Sequence, residues 1–372
     1  MTQLAPVKVF VAARGNGFMT DIAGMIAEAA GVHRAATICT DELPLQDGSI
    51  NLVVAPHEFF ELNDASTTEL QRAAAASICI GTEQPQTPWF HLAADACRRG
   101  LLTLDINDVA VDALRSHSIP AERLRLGAVP SMDHLLRTRG SSSAPTPSAR
   151  QSADRPIEVL FMGGLDDRRG QILAGTAPLL MDRASDLRLF RFDQPIGAHT
   201  PGVVFGQDKY DLLSSAKILL NIHRDHPDLP GTQAPAYFEW VRMIEAMSNG
   251  CAVLTEPSVG FDPLIEGEHF IAATDFDDAL AELLQNDNRR IAIAEAGHRM
   301  VTETLDLSAT IGPLLDHIEV DILPSIEDHV RSESYRKGSW RFQGEVSNPV
   351  SRLEPFRPYR ALQREAKALA MA

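Results

Sequence analysis

Two kinds of hydrophobic run alternate along the first half of the chain. Short apolar, β-branched runs stand at Val7–Ala13, Ala35–Thr40, Ile50–Ala55, Ser77–Gly81 and Leu101–Ile106. Longer alanine-rich stretches separate them, at Met19–Ala30, Ser66–Ala76, Phe90–Arg99 and Val109–His117. The first kind predicts strands and the second helices. Such alternation favours parallel pairing with right-handed crossovers, and near-continuous apolar strands fit a sheet covered on both faces. A doubly wound α/β domain over 1–139 is expected.

The pattern breaks at 140–156, GSSSAPTPSARQSADRP, which holds five serines, three prolines and no large aliphatic or aromatic residue. Such a segment cannot bury enough surface to offset chain entropy and reads as a flexible linker. Alternation then resumes. Strands are predicted at Ile157–Met162, Leu187–Phe192, Lys217–His223, Ala252–Thr255 and His269–Ala272. Helices are predicted at Gln171–Met181, Ala236–Asn249, Asp277–Gln285, Asp287–Thr304 and Ser308–Leu323. A second α/β domain therefore spans 157–325. The tail 326–372 has a polar, aromatic stretch at Arg331–Arg352 and a final short helix at Pro358–Ala370. Two similar halves joined by a linker imply a ligand cleft between them, at the carboxyl ends of the strands.

Composition narrows the partners. Fifty acidic against 34 basic residues give a net charge of −16 over 372 residues. That balance argues against nucleic acid and anionic membranes as general partners, but leaves room for one local basic pocket. The four cysteines, Cys39, Cys79, Cys97 and Cys251, have no CxxC spacing and no zinc-site pattern. No apolar run reaches the roughly 18 residues of a membrane span, and MTQLAPVKVF has no signal-peptide pattern. A reduced, cytoplasmic protein is the expectation.

Candidate chemistry sits where predicted strands end. The first turn, Arg14-Gly15-Asn16-Gly17-Phe18, opens a helix, with Asp41 near the end of the second strand. Gly15 and Gly17 either admit an anion to backbone amides or make a tight turn, and Thr20 replaces the third glycine of a dinucleotide fingerprint. The next two strands run into Pro56-His57-Glu58 and Gly81-Thr82-Glu83, making His57 and Glu83 candidate proton acceptors or capping residues. The second half opens with a strand, Gly163-Gly164, and then Arg168-Arg169 at a helix start. Those guanidiniums either neutralise a diphosphate or lie on the surface. In Tyr237–Gly250, Trp240, Met243, Ile244 and Met247 make a buried stripe, leaving Arg242, Glu245 and Asn249 opposite it. The strand that follows leads into Thr255-Glu256 and a loop through Gly260 whose amides suit phosphate oxygens. Asp275-Phe276-Asp277 has a metal–nucleotide spacing but precedes a helix, so capping explains it. His223-Arg224-Asp225-His226 lies in a proline-flanked loop, which does not favour a metal site.

Three segments together resemble the GT-B glycosyltransferases, glycosyl-transferase-group-1 type, in the spore-maturation-protein-like branch. They are FMGGLDDRRGQIL at Phe161–Leu173, YDLLSSAKILLNIHR at Tyr210–Arg224 and RMIEAMSNGCAVLTE at Arg242–Glu256, continuing to PLIEGEHFI at Pro263–Ile271. The resemblance implies two Rossmann-like doubly wound domains facing a central cleft. It implies a nucleoside-diphosphate sugar as donor substrate in the second domain, an acceptor in the first, and no separate cofactor or metal. It implies a hexosyltransferase in which Glu245 holds the donor, Arg168 and Arg169 lie near the diphosphate, and Asn221 and His223 sit at the matching strand end. The retaining families' Glu-x7-Glu pair is broken, because Tyr237 stands eight residues before Glu245, which leaves open both an inverting or retaining outcome and whether Glu239 substitutes. Gly164, Arg242, Thr255 and Glu256 complete the donor-side set, and His57 and Glu83 the acceptor side. A nucleotide-sugar epimerase, a non-catalytic binding or assembly protein of the same fold, and a dehydrogenase argued from Gly15 and Gly17 are the competing readings.

Overall fold

A computed structural model describes residues 4–40, 42–85, 87–134, 155–190, 196–197, 200–224 and 236–331. Most of the predicted linker lies outside these residues, as do Asp41, Asp225, His226 and the helix predicted at Pro358–Ala370. The chain divides into two compact units, Met1–Arg125 with Asp193–Gly197 and Ser308–Ala372, and Leu126–Phe192 with Ala198–Leu307.

The first unit holds strands β1 (Val7–Phe10), β2 (Ala36–Cys39), β3 (Ile50–Val54), β4 (Ile78–Gly81), β5 (Leu102–Asp105) and β6 (Ala121–Arg123) in the order β2-β1-β3-β4-β5-β6. Every pairing is parallel. The crossovers include α1 (Gly17–Gly31), α2 (Pro56–Glu61), α3 (Thr67–Ala75), α4 (Pro88–Cys97) and α5 (Asp108–Ser116). β3 and β4 are buried along their whole length, and the one polar side chain among them, Asn51 of β3, donates to Leu45 O and Ala76 O.

The second unit holds β7 (Ile157–Gly164), β8 (Ser185–Phe190), β9 (Ala216–Asn221), β10 (Ala252–Thr255) and β11 (Ile271–Ala272) in the order β11-β10-β9-β7-β8, again all parallel. Its helices are α6 (Asp167–Met181), α7 (Gly206–Ser214), α8 (Trp240–Ser248), α9 (Phe276–Gln285) and α10 (Asp287–Arg299). Val159, Phe161, Ile218, Leu220, Ala252 and Leu254 of the strands join Leu280, Leu283 and Ile293 of the helices in one core. Both units are thus doubly wound α/β sheets, as the alternation predicts.

The differences have local causes. Pro56–Glu61, expected as a strand-end loop, is a helix, with proline at its start and Ala55 left-handed (φ 48°) before it. The helix expected from Ala236 begins at Trp240, because the preceding backbone bonds to Val259 instead: Phe238 N donates to Val259 O, and Val259 N to Ala236 O. Arg155, read as linker, is buried and donates to the carbonyls of Leu213, Ala216 and Asn249, pinning the start of β7.

The second domain ends earlier than the expected 325. From Ser308 the chain belongs to the first unit, through α11 (Leu307–His317) and α12 (Ile326–Arg331). Arg34, 7% exposed, anchors this return by ion pairs to Asp316 and, at 2.6 Å, Glu319, and His33 Nε2 contacts Ser308 O at 2.6 Å. Arg34→Ala should weaken this attachment by about 1–3 kcal/mol, since it removes charge-assisted bonds from a buried side. Faster backbone hydrogen exchange confined to 308–331 is the expected result; unchanged exchange would refute the anchoring role.

Candidate functional site

In each unit the strand order reverses once, and the crevice at that point is where open α/β sheets receive ligands. In the second unit it lies between β7 and β9. Arg169, at the start of α6 and 2% exposed, spans it: Nη1 donates to Gly164 O at 2.9 Å and Nε to Ile222 O at 2.9 Å. Its guanidinium also lies 5.9 Å from the Phe161 ring centroid. Burial first, then Arg242, lowers its pKa to about 10, so it remains cationic. The pair Arg168-Arg169 is therefore split in role. Arg169 is a buried brace between strand ends, while Arg168 reaches β10 and pairs with Glu256, donating also to His223 O at 2.9 Å.

Around this brace the other predicted donor-side residues converge. Arg242 of α8 donates to Asn221 Oδ1 at 2.6 Å and pairs with Glu239 at 2.9 Å. Asn221, fully buried, donates in turn to Thr255 Oγ1 at 3.0 Å, joining β9 to β10. Glu239 also lies 3.9 Å from Arg169 and 3.8 Å from His223 Nδ1. Burial pushes the Glu239 carboxyl up, but Arg242, His223 and Arg169 outweigh it and hold its pKa at about 2. His223, 8% exposed, donates its backbone N–H to Glu256 Oε2 at 2.6 Å, while its Nε2 is buried with no hydrogen-bond partner. Ser258 Oγ, in the loop after β10, is likewise buried and unpartnered. Glu239 was foreseen only as a substitute for Tyr237, yet three cationic or imidazole groups converge on it. Its placement one residue before α8 is the signal that marks it.

Glu245 is elsewhere in this arrangement. Arg242, Glu245 and Asn249, read as lying opposite the buried stripe, do not share one environment, because α8 is buried from Met243 to Ser248. Glu245, 4% exposed, pairs with Lys209 Nζ of α7 at 2.5 Å, and Lys209 is itself 4% exposed. Asn249 donates to Met132 O at 2.9 Å and accepts from His134 N at 3.2 Å. An extra helix, α7, which the strand-focused reading missed, supplies the lysine.

In the first unit the reversal lies between β1 and β3, and its chemistry is opposite. Gly15 and Gly17 offer no amide to an anion. Gly15 N donates to Ala12 O, Gly17 N to Ile196 O, Phe18 N to Asn16 Oδ1 and Asn16 N, at 2.7 Å, to Glu58 Oε2. A Cβ at Gly15 would lie 2.6 Å from that Glu58 oxygen, so the glycine accommodates a carboxyl, not a phosphate. In this arrangement the amides of both glycines are taken up by protein carbonyls.

Beside it, His57 is 2% exposed, and burial lowers its pKa to about 3, leaving a neutral imidazole that is a poor base. Its Nε2 lies 3.6 Å from Glu83 Oε1, and the Glu83 side chain remains 17% exposed. Of the two predicted bases, Glu83 is the accessible one. Sequence reading missed two neighbours, Glu58 and Asp105. Burial, opposed by a backbone hydrogen bond in each, raises Glu58 to about 7 and Asp105 to about 8. Asp105 lies against Gly81, where a Cβ would sit 2.0 Å from its Oδ2.

The Asp275-Phe276-Asp277 decoy resolves simply, whereas Asp225 and His226 of the other lie outside the described residues. Asp275 Oδ1 accepts from Asp277 N at 3.0 Å and caps α9. Among the described residues no three His, Cys, Asp or Glu side chains gather as metal ligands.

These environments make two predictions. Glu245→Leu should destabilise the second unit by about 3–5 kcal/mol, because it strands a buried ammonium, and adding Lys209→Leu should recover most of the loss. Urea unfolding of both variants decides it; a harmless single substitution would show that the pair is not buried in solution. Glu58 and Asp105 retain a proton in the folded state that the unfolded chain releases near pH 4. Their contribution is complete at low pH and lost as pH rises through about 7 and about 8. His57 acts in the opposite sense, but only below its unfolded pKa of 6.5. Stability should therefore fall by about 1–2 kcal/mol between roughly pH 6.5 and 8.5, and Glu58→Gln with Asp105→Asn should flatten that slope. Urea midpoints across the window provide the measurement, and an equal slope in the double variant would contradict the assignment.

Residues 167–316 match the family described as glycosyl transferase-like. Among solved structures, Anabaena HepE in complex with UDP-glucose superposes with a TM-score of 0.54 at 11% identity, over 84% of this chain and 98% of that one. Sucrose-phosphate synthase from Thermosynechococcus elongatus gives 0.50 at 12%, over 84% and 99%. No curated protein matches the sequence. Among the described residues no helix is long and apolar enough to cross a membrane. At such identities the structures share a fold with this chain, and that fold, two parallel-sheet α/β units, is the GT-B glycosyltransferase fold.

Proposed function

We propose that the protein is a glycosyltransferase that moves a hexosyl group from a nucleoside-diphosphate sugar to an acceptor hydroxyl. The observation that carries this reading is the cluster at the carboxyl ends of β7, β9 and β10. There, in a chain of net charge −16, Arg168, Arg169 and Arg242 meet a buried imidazole whose Nε2 has no partner. A buried polar atom without a partner is costly, so a ligand that supplies one is favoured at that place. The glycosyl transferase-like match covers the same unit, and HepE, of the same fold, carries UDP-glucose. The Arg-x-x-Glu-Ala run from Arg242 supports the spore-maturation-protein-like branch.

In this reading the diphosphate meets Arg168 and Arg242, with Arg169 holding the strand ends apart. Guanidiniums fixed before the reaction stabilise the departing diphosphate without reorganisation, the role a metal ion serves elsewhere. On the β10 side Ser258 supplies a hydroxyl, while Thr255 holds Asn221 in place. Glu245 orients α8 through Lys209 and is the candidate for the donor ribose. On the first unit, Glu83 is the candidate proton acceptor, and the neutral His57 beside it positions the carboxylate.

The split between the two arginines is testable by calorimetric titration. Arg168→Ala should weaken UDP by roughly tenfold or more, the loss of about 1.5–3 kcal/mol for a charge-assisted contact, and leave uridine binding unchanged. Arg169→Ala should instead lower unfolding stability, because it leaves two strand-end carbonyls unbonded. Failure of the wild type to bind UDP, GDP, ADP or dTDP would remove the donor reading. Turnover that is lost with EDTA and restored by Mn²⁺ would contradict the metal-free mechanism.

A further inference from the structure

We infer that Glu256 is a resident counter-anion of the donor site, and that a diphosphate binds by taking Arg168 from it. This rests on the donor reading above and specifies how that site is kept before a donor arrives.

Glu256 follows β10 and is 8% exposed. Its two oxygens face both Arg168 nitrogens, one contact at 3.0 Å, and Oε2 also accepts the backbone N–H of His223 at 2.6 Å. Arg168 Nη1 closes the ring by donating to His223 O at 2.9 Å. A two-oxygen anion accepting a guanidinium fork and a main-chain N–H at a strand end is how a phosphate would be held there. The carboxylate therefore occupies phosphate-like valences. His223, the residue it grips, carries the unpartnered Nε2, which shows that the place still has hydrogen-bonding capacity to fill.

The partners differ in mobility. Glu256 is short and buried, whereas the Arg168 side chain is 39% exposed and can swing. Arg169 cannot, being 3% exposed at its side chain and bonded to two carbonyls. Exchange of the exposed arginine from carboxylate to diphosphate is thus the movement that costs least. The charges agree. Arg168, Arg169, Arg224 and Arg242 act on one another or on the carboxylates Glu239 and Glu256. Asp166 also acts on Arg169, so among these named groups four arginines stand against three carboxylates and positive charge remains for a diphosphate. With no ligand bound, Glu256 prevents Arg168 from recruiting inorganic anions or holding a spent diphosphate. This makes it a specificity device against retention as well as a structural one.

The test is a double-mutant cycle read by calorimetry, with UDP, inorganic diphosphate and uridine as probes. Glu256→Gln keeps the shape and the hydrogen bond from His223 N but removes the competing charge. It should tighten UDP and inorganic diphosphate by about tenfold and leave uridine unchanged. In the Arg168→Ala background the same substitution should change none of the three. Glu256→Asp, which keeps the charge and withdraws it from Arg168, should tighten UDP by a smaller factor and serves if the glutamine variant unfolds. Unchanged or weaker UDP binding in folded Glu256→Gln, or an equal gain without Arg168, would overturn the counter-anion role and leave Glu256 as a clamp. Absence of UDP and inorganic diphosphate binding in wild type and Glu256→Gln alike would instead fail the donor reading, and the exchange with it.

Discussion

The second unit is organised around one buried guanidinium. Its strand order reverses between β7 and β9, and carbonyl groups at the ends of both strands lie there. Arg169 satisfies two of them, Gly164 O and Ile222 O, from the first turn of α6. A lysine could reach one carbonyl, but it has no planar fork to bridge a pair. Once that bridge exists, the positions of Asn221, His223 and Thr255 follow from β9 and β10, and Arg242 follows from its bond to Asn221. The fork is therefore a structural requirement first. The group that satisfies it is also cationic, which is what the proposed diphosphate site requires.

The two sheets show that topology fixes where a site lies but not what it binds. Both reverse at the same point in their strand order, after the first strand and before the third. In the first unit the amides of the turn are spent on Ala12 O, Ile196 O, Asn16 and Glu58, and the carboxyls nearby take up protons. In the second, burial is opposed by opposite charge, and Glu239 stays ionised. The same desolvation thus ends in neutral acid in one unit and in a paired ion in the other, depending on whether arginines are within reach. A glycine-rich first turn alone cannot distinguish these outcomes.

That is also where the sequence stopped being legible. Strand and helix periodicity identified most of both sheets, because apolar runs covered on both faces leave little choice of element. The short β6 and the helices at Pro56–Glu61 and Gly206–Ser214 escaped, being too brief or too polar to show a period. Of the candidate residues, Arg168, Asn221, His223, Arg242, Thr255 and Glu256 come together because all lie at strand ends or the first turn of a helix, positions that sequence order specifies. The bonding of the Gly15–Gly17 turn was not legible, since Asn16 N goes to Glu58 and Gly17 N to Ile196, both distant in the chain. The burial of Glu245 was hidden for a related reason: helical spacing gives the side of a helix, and only packing against Lys209 decides whether that side meets solvent.

Gathering arginines is unfavourable by itself, and the sequence contains the means to limit it. Arg242 lowers the proton affinity of Arg169, the sign of cations held close, and Glu239 opposes that repulsion from between them. Two carboxylates among the arginines make the cluster stable enough to fold before any ligand arrives. They also set how much positive charge remains for one. Adding arginines without them would raise affinity for every phosphate while weakening the unit that must hold the site's geometry. Removing them would have the same effect on selectivity from the other side. The balance between Glu239, Glu256 and their arginines is thus the point at which folding stability and the choice of ligand become a single constraint.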